Sequence, residues 1–417
     1  MRYIAYFGLI FITILINSIA QKLFKEKWNL WAGYGIPIFL MMLFLLTPPG
    51  GGLGDFNKAY YPAGRLIFEN PYKLYDETCR TFVNLPIIAL LFVPFSFTYN
   101  PDQARMAFTI VGSLFIFIAY SILANFVKIR DYRQLAVVGI FAINGPLYYS
   151  LRQGNTTHFL LLILTLVIVC LQEKREIWTG ILLGIAALMK PFLLLPCIYF
   201  AVRQRWRLTA AVSATLLSVV AASVLLLGSN LNLLWLNRCI YAFSGKVIGA
   251  FNVQSVDGFL YRLLTDGDLT NFIPTDMSWN FKLFRYGLLL ILVGMPTWIL
   301  WRTKPPKTVN DQNLEFSIVL CLSLLISPIS WTHYYLLLLL PFSLYLGDKL
   351  AIPKGWIWSS SMIVSLVLVS PPVISFNSDN FLIRFFVSHY FIGGVVLLGT
   401  LLAARWQTSP QIHHFNK

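Results

Sequence analysis

The sequence predicts an all-α, polytopic membrane protein, and three observations lead to that prediction. Hydrophobic residues make up 57% of the 417 residues and charged residues only 12%, whereas soluble domains contain about 25% charged residues. The mean hydropathy is +0.69. The apolar residues also occur in long runs, with the basic residues clustered between them. We therefore interpret residues 1–417 as a single transmembrane domain.

About twelve or thirteen apolar runs approach the roughly 20 residues that a helix needs to cross a bilayer core. The predicted segments are 3–20, 30–47, 104–126, 135–150, 156–171, 177–189, 191–201, 208–227, 284–301, 314–330, 334–347, 355–373 and 383–404. The first run lacks a small-residue cleavage site, so we expect a retained helix rather than a signal peptide. Runs 177–189 and 191–201 are too short to cross squarely. They predict either a shallow hairpin with Lys190 and Pro191 at its tip, or one kinked element.

The connections between the runs predict the orientation in a cell (plasma) membrane. Seven of them contain 18 of the 32 lysines and arginines, and such clusters mark the cytoplasmic side. These connections are 21–29, 127–134, 172–176, 202–207, 302–312, 348–354 and the tail 405–417. The pattern explains the net charge of +15 without a nucleic acid partner. We expect the C-terminus inside and the N-terminus outside, although one span fewer would reverse the N-terminal side.

The opposite, extracytoplasmic face collects the irregular segments. Two long loops are predicted there, residues 48–103 and 228–283. Within the first loop, residues 85–97 are apolar but too short to span, which predicts an interfacial helix in contact with membrane lipids. Cys79 and Cys239 fall in these two loops, so the sequence leaves a disulfide between them open. A chain that concentrates its polar and aromatic irregular segments on one face is expected to act there.

Asp55 is the first candidate for chemistry. It lies in the sequence GGLGDF of residues 51–56, where the second predicted span gives way to the first long loop. A membrane enzyme that needs one general base beside a lipid-borne substrate can place it at such a boundary. The alternative is a helix N-cap, a position that Asp favours. Tyr60 and Tyr61 follow directly as candidate substrate contacts.

His333 and Lys190 are the next candidates. His333 lies in the sequence SPISWTHY of residues 327–334. Its charge state is easily shifted, which suits a phosphate or a sugar hydroxyl; an interfacial aromatic belt is the alternative. Lys190 is the cation within the apolar run 177–202. A cation at that depth usually faces a cavity or a partner, and a lysine that snorkels to the headgroups is the alternative.

Further polar residues on the same face are candidates for binding a donor phosphate or another part of a substrate. They are Arg152, Gln153, Asn155, Asn252 and Arg262. The first three form a short connection between runs, where they can cap helices or bind a polar ligand. The other two lie around a predicted amphipathic helix that begins near Ser255. We interpret the nearby Asp257 as a surface residue.

No motif for a nucleotide or a metal is recognisable. The sequence contains no Walker A loop, no Gly-x-Gly-x-x-Gly on a strand–helix turn and no His-Glu-x-x-His, and no close acidic pair marks a divalent-metal site. The five cysteines also lack metal-binding spacings. We therefore expect neither a cofactor nor a metal, and a donor that reaches the site through the membrane.

Several segments, taken together and in order, resemble glycosyltransferase family 87, which includes polyprenyl-phosphate-mannose-dependent mannosyltransferases. They are GDF at 54–56, YYPAG at 60–64, NPY at 70–72, QGN at 153–155, ALMKP at 187–191 and SPISWTHY at 327–334. The resemblance implies a GT-C fold, with interfacial helices in the first outer loop. It also implies transfer of a sugar, mannose being the best-attested, from a polyprenyl phosphate with inversion. The family's general base maps onto Asp55 and its histidine onto His333.

Two other functions fit the same features. A transporter or flippase of a lipid-linked sugar would use the same cavity without chemistry, and a GT-C transferase of another family would modify a different acceptor. The acceptor itself, whether glycolipid, glycan or protein, is left open by the sequence. Asp55→Asn separates a catalyst from a transporter. A catalyst should lose nearly all turnover while it still binds the donor, whereas a transporter need not depend on that carboxylate so completely.

Overall fold

The computed structural model confirms an all-α polytopic protein. It describes residues 52–75, 82–97, 100–127, 133–375 and 377–408. The predicted spans 3–20 and 30–47 lie outside the described residues, as does Cys79, so the pairing with Cys239 stays a prediction. Within the described ranges the strands are β1, Lys246–Val247, and β2, Thr275–Asp276, which form one antiparallel pair.

Seventeen α-helices occupy the described ranges. In the first half they are α1 Tyr61–Glu69, α2 Val93–Ser96, α3 Pro101–Ala124, α4 Arg133–Ala142, α5 Gly145–Gln153, α6 Thr157–Gln172, α7 Glu176–Met189, α8 Leu194–Val202 and α9 Trp206–Leu227. In the second half they are α10 Ser229–Trp235, α11 Val256–Leu264, α12 Trp279–Arg302, α13 Val309–Ile326, α14 Leu339–Leu346, α15 Trp356–Val369, α16 Phe381–Phe386 and α17 His389–Thr408. Short π and 3₁₀ helices add Phe56–Tyr60, Pro71–Lys73, Pro86–Phe92, Pro191–Leu193, Leu236–Ile240, Tyr241–Phe243 and Thr332–Leu338.

Five of these helices, α3, α9, α12, α13 and α17, are long and apolar enough to cross a membrane. The shorter apolar helical segments include α6, α7 and α15. Residues 85–97 form the 3₁₀ helix Pro86–Phe92 followed by α2, as the length of that stretch predicted. The run around Lys190 is indeed broken into α7 and α8. The architecture is that of a multi-pass membrane protein.

Two of the predicted single spans were wrong. The span 135–150 breaks into α4 and α5 at Asn144, whose side chain caps α5 ahead of Pro146. The span 383–404 divides into α16 and α17. The predicted span 334–347, in contrast, matches one apolar helical segment, Thr332–Leu346, which begins as a 3₁₀ helix and continues as α14. In the span 135–150, a polar cap and a proline interrupt the helix. A count of apolar residues does not detect such an interruption.

The first long loop packs firmly onto the helices. Tyr60 stacks on Phe92 with ring centroids 4.5 Å apart, within an apolar cluster separate from the main core of the bundle. The Ser96 hydroxyl donates to the Tyr61 carbonyl at 3.0 Å. Asn84 Nδ2 donates to the Met189 carbonyl at 2.8 Å. This last bond fastens the loop to the end of α7, directly before Lys190.

A buried ion-pair network joins three helices around Glu315 in α13. Its carboxylate accepts hydrogen bonds from Arg203 at 2.6 and 2.8 Å and from the Tyr199 hydroxyl at 2.6 Å. Arg405 pairs with the same carboxylate at 2.6 Å. Arg405 was assigned to the tail, which was wrong, since α17 continues to Thr408 and buries it.

Candidate active site

The turn that carries Asp55 is fixed by backbone hydrogen bonds. The Leu53 amide donates to the Arg152 carbonyl at 3.0 Å, and the Asn57 amide donates to the Leu53 carbonyl at 2.8 Å. Asn57 Nδ2 also donates to the Gly52 carbonyl at 2.9 Å. The turn is therefore attached to the C-terminal end of α5, about a hundred residues further along the chain.

Two glycines allow this close approach. Gly154 ends α5 with φ +64°, a left-handed conformation that favours glycine, and a Cβ there would lie 2.7 Å from Phe56 Cβ. A Cβ on Gly54 would lie 2.6 Å from Gln153 Oε1. A larger residue at Gly154 would push the Asp55 turn away from α5, whereas a larger residue at Gly54 would first displace the Gln153 side chain.

Asn155 holds the Asp55 carboxylate. Its Nδ2 donates to Asp55 Oδ2 at 2.6 Å and lies 3.5 Å from the Tyr60 hydroxyl. Its Oδ1 accepts from both the backbone amide and the hydroxyl of Thr157, at 3.1 and 2.7 Å. Because Thr157 occupies the oxygen, the amide must present its nitrogen to Asp55. Asn155 is thus placed as a positioning group for the carboxylate.

Asp55 lies only partly buried, so a substrate can approach it. Burial nevertheless raises the pKa of its carboxyl above the ordinary value, while the Asn155 hydrogen bond and the charges of Lys190 and Lys58 act in the opposite direction. A carboxylate with a raised pKa is a stronger base. The Asn155 amide and the Lys190 cation stabilise the charged form of this carboxylate.

Lys190 is a buried cation beside this carboxylate. It lies between α7 and Pro191 in an extended conformation, as expected for a residue before proline. Its Nζ donates to the Tyr334 hydroxyl at 3.2 Å and lies 4.6 Å from the centroid of that ring. Lys190 and Asp55 are close enough for their charges to interact. A snorkelling lysine would instead extend to the surface.

His333 follows the start of the 3₁₀ helix Thr332–Leu338. Its ring centroid lies 4.8 Å from that of Tyr334 and 5.9 Å from that of Tyr149, and Lys190 is within electrostatic range. The side chain is 4% exposed. Neither ring nitrogen has a hydrogen-bond partner among the described residues. Buried polar atoms normally find a partner, so these nitrogens suit a ligand.

Asn252 and Tyr149 extend the group of polar residues. Asn252 Nδ2 donates to the Tyr149 hydroxyl at 3.0 Å, and Tyr149 also lies beside the Gln153 side chain. Asn252 Oδ1 is buried and lacks a partner within the described part of the chain. Six of the predicted residues therefore share one region. They are Asp55, Gln153, Asn155, Lys190, Asn252 and His333.

The other predicted contacts occupy different positions. The Arg152 side chain is exposed at the edge of this region. The Tyr60 hydroxyl lies 3.5 Å from the Thr156 hydroxyl, and the Tyr61 ring packs against Phe56. Both tyrosines are buried and pack within the apolar cluster that includes the first long loop.

Arg262 and Asp257, both on α11, are not brought to the site. Arg262 is buried and donates to Ser388 Oγ at 2.7 Å and to the Val253 carbonyl at 2.8 Å. It therefore holds the second loop against the start of α17. The interpretation of Asp257 as a surface residue was wrong, because it is 2% exposed and pairs with Arg285 at 2.6 Å.

Sequence reasoning missed Tyr149 and Tyr334 as site residues. Tyr149 precedes Gln153 by four residues on α5, and residues at that spacing share a helix face, so this signal was available. Tyr334 directly follows His333, and consecutive residues on an α-helix point in different directions. Here both residues lie in a 3₁₀ helix, whose turns are tighter, and both rings lie in the same region. Across the described residues, no three His, Cys, Asp or Glu side chains are grouped to hold a metal. The expectation of no metal stays a prediction.

Comparison with known proteins identifies one family. The model of Glycosyltransferase family 87 matches residues 82–328, more than half of the chain. The matched region contains Asn155, Lys190 and Asn252, while Asp55 and His333 lie outside it. No match to the chain was found among curated proteins.

Proposed function

The chain belongs to glycosyltransferase family 87 and is a membrane glycosyltransferase, and from this premise we propose the donor, the stereochemistry and the catalytic groups. The donor is a polyprenyl-phosphate-linked sugar, with mannose as the expected sugar. The acceptor is a hydroxyl of a glycolipid, a glycan or a protein. The observation that carries the proposal is the partly buried Asp55 carboxylate, held by Asn155 and accompanied by the buried cation Lys190.

Asp55 acts as the general base. The acceptor oxygen attacks the anomeric carbon as the bond from that carbon to the phosphate oxygen breaks, and the sugar configuration inverts. The acceptor proton passes to the Asp55 carboxylate, while the leaving phosphate keeps the electron pair. Asn155 supports this role because it fixes the carboxylate in one orientation. Geometry of this kind accelerates proton transfer without any change in the base itself.

Lys190 and His333 serve the leaving group. A phosphate anion is already a stable leaving group, so it needs positive charge and hydrogen bonds more than an acid. Lys190 offers its buried ammonium group, and the unpartnered ring nitrogens of His333 lie within its electrostatic range. The residues suffice for this chemistry without a metal.

The placement in the membrane follows from the same proposal. The polyprenyl chain lies between apolar helices, and the site faces the extracytoplasmic side of the cell membrane. The positive charge of the opposite connections supports this orientation. Accessibility of single cysteines introduced near Asp55, assayed from each side of sealed vesicles, tests it.

The deciding experiment compares Asp55→Asn with wild type and with Glu69→Gln. Glu69 is the matched control, because it is an exposed carboxylate of the same loop that pairs with Arg65. Each purified protein receives radiolabelled polyprenyl-phosphate mannose and a membrane lipid extract. We expect Asp55→Asn to lose roughly 10²–10⁴-fold of the transfer rate, with donor binding retained, and Glu69→Gln to resemble wild type.

Other outcomes of this experiment are equally informative. Equal transfer by Asp55→Asn and wild type would remove Asp55 as the base. Transbilayer movement of the donor without product, and independent of Asp55, would indicate a flippase. Failure of wild type with mannose, followed by transfer from another polyprenyl-phosphate sugar, would change the sugar but keep the mechanism.

A further inference from the structure

We propose that Asn252, positioned by Tyr149, recognises a hydroxyl group of the transferred sugar and so helps to determine which sugar is accepted. This inference rests on the proposed function and adds a specificity subsite to it. The ligand class is a hydroxyl-rich sugar ring carried on a lipid phosphate.

The backbone around Asn252 is held on both sides. The Thr332 amide donates to the Asn252 carbonyl at 2.8 Å, and the Gln254 amide donates to the Ser330 carbonyl at 2.6 Å. The Tyr335 hydroxyl donates to the Gln254 carbonyl at 2.6 Å. The second long loop is therefore attached to the segment that carries His333. Asn252 has a fixed position rather than that of a residue on a mobile loop.

The Asn252 side chain is satisfied at one end only. Its Nδ2 donates to the Tyr149 hydroxyl, while its Oδ1, although the residue is 5% exposed, has no partner in the described ranges. If the amide oxygen and nitrogen are exchanged, one end of the amide still has a partner and the other does not, because the Tyr149 hydroxyl can donate as well as accept. In either orientation one end of a buried amide remains for a ligand.

A sugar hydroxyl fits this end better than a phosphate does. A hydroxyl can bind the free end in either orientation of the amide, because it donates to an amide oxygen and accepts from an amide nitrogen. A phosphate anion can bind only a free amide nitrogen and is repelled by the oxygen. Lys190, in contrast, is a natural phosphate partner. The charge distribution therefore places the phosphate near Lys190 and the hydroxyls of the sugar near Asn252.

The position of Tyr149 connects this subsite to the proposed reaction. The centroids of its ring and of the His333 ring are 5.9 Å apart. Its hydroxyl group is also close enough to Asp55 to interact with the charge of that carboxylate. A sugar held by Asn252 and Tyr149 thus borders both the base and the groups proposed to hold the phosphate.

The test pairs variants with donors that lack one hydroxyl each. Transfer by the full-length enzyme is measured with polyprenyl-phosphate mannose and with its 2-, 3-, 4- and 6-deoxy forms. For wild type, we expect the deoxy donor that lacks the recognised hydroxyl to lose about tenfold in kcat/KM, the effect of one neutral hydrogen bond. Asn252→Ala should lose about as much with the complete donor, and nothing further with that deoxy donor. Equal fractional losses in wild type and Asn252→Ala at all four positions would overturn the inference.

Two further variants complete the test, one as a control and one as a second probe of the subsite. Asn271→Ala is the control. It removes an exposed amide of the same loop, whose side chain accepts a local hydrogen bond from the Ile273 amide, and it should behave as wild type. Tyr149→Phe keeps the ring and removes the hydroxyl, so it should weaken discrimination at the same donor position. Unchanged affinity of Asn252→Ala for polyprenyl phosphate without a sugar shows that the rest of the site is intact.

A binding measurement separates this inference from the proposed function. In the Asp55→Asn background, the affinity for polyprenyl-phosphate mannose is compared with that for polyprenyl phosphate. If wild type transfers no sugar but Asn252→Ala still abolishes the gain in affinity due to the sugar, the reaction is wrong and the subsite stands. If wild type transfers mannose and that gain survives Asn252→Ala, the reaction stands and the subsite is wrong.

Discussion

Single hydrogen bonds determine how the polar residues of the candidate site are used. Asn155 has both ends of its amide occupied, by Thr157 and by Asp55, whereas Asn252 has one end free for a ligand within the described residues. Two asparagines in the same region are thus assigned different roles. One orients a carboxylate and the other is available to a substrate.

Asn155→Ala should move the acid limb of the pH dependence of kcat/KM to higher pH. The Asn155 hydrogen bond lowers the pKa of Asp55 and burial raises it, so removal of the bond leaves a higher pKa. A general base works above its pKa and fails as the pH falls through it. The measurement is transfer rate against pH, with Asn271→Ala as the control. A lower rate with an unmoved acid limb would show only a structural effect.

Lys190→Met should lower kcat/KM far more than Tyr334→Phe does. Loss of the cation removes charge stabilisation of the phosphate and is expected to lower kcat/KM by roughly 10²–10³-fold. Tyr334→Phe keeps a ring for the cation and loses one hydrogen bond, so about tenfold or less is expected. Steady-state kinetics with the same donor compare the two. Equal losses would mean that Lys190 acts mainly by packing against Tyr334.

At the scale of elements, the contact between the Asp55 turn and α5 depends on glycine. In Gly154→Ala, the new side chain would sit on a left-handed backbone with its Cβ 2.7 Å from Phe56 Cβ. We expect the free energy of unfolding to fall by about 1–3 kcal/mol. Gly287→Ala in α12 is the matched control, because its Cβ would meet no atom within 4 Å. The apparent melting temperature in detergent measures both. Similar melting temperatures would show that the turn can move without cost.

Some residues of the site could be predicted from the sequence and others could not, and the reasons are physical. Lys190 was detectable because a cation within an apolar run is costly to bury. Tyr149 was harder to identify, because an aromatic residue on an apolar helix is usually a packing residue. The role of Arg262 depends on Ser388 and on backbone carbonyls of its loop. Contacts of that kind follow from tertiary structure and not from the local pattern.

At the scale of the whole molecule, the network around Glu315 ties α8, α13 and α17 together. Glu315→Gln removes the negative charge that pairs with Arg203 and Arg405. We expect the free energy of unfolding to fall by about 3–5 kcal/mol. Glu69→Gln, which breaks an exposed pair with Arg65, should cost less than about 1 kcal/mol. Thermal unfolding of the two variants provides the comparison. Equal stability would show that water or rearrangement compensates the buried arginines.

The bonds that complete the site join residues far apart in the chain, and this has a consequence for biosynthesis. Asp55 meets Asn155 across 100 residues, Asn252 meets Thr332 across 80, and Lys190 meets Tyr334 across 144. A chain made from its N-terminus outward acquires these partners in sequence, and synthesis must pass Tyr334 before the last is present. A nascent chain released before that residue can contain most of its helices yet lack a finished site. Activity therefore reports that translation has passed Tyr334, whereas membrane insertion alone does not.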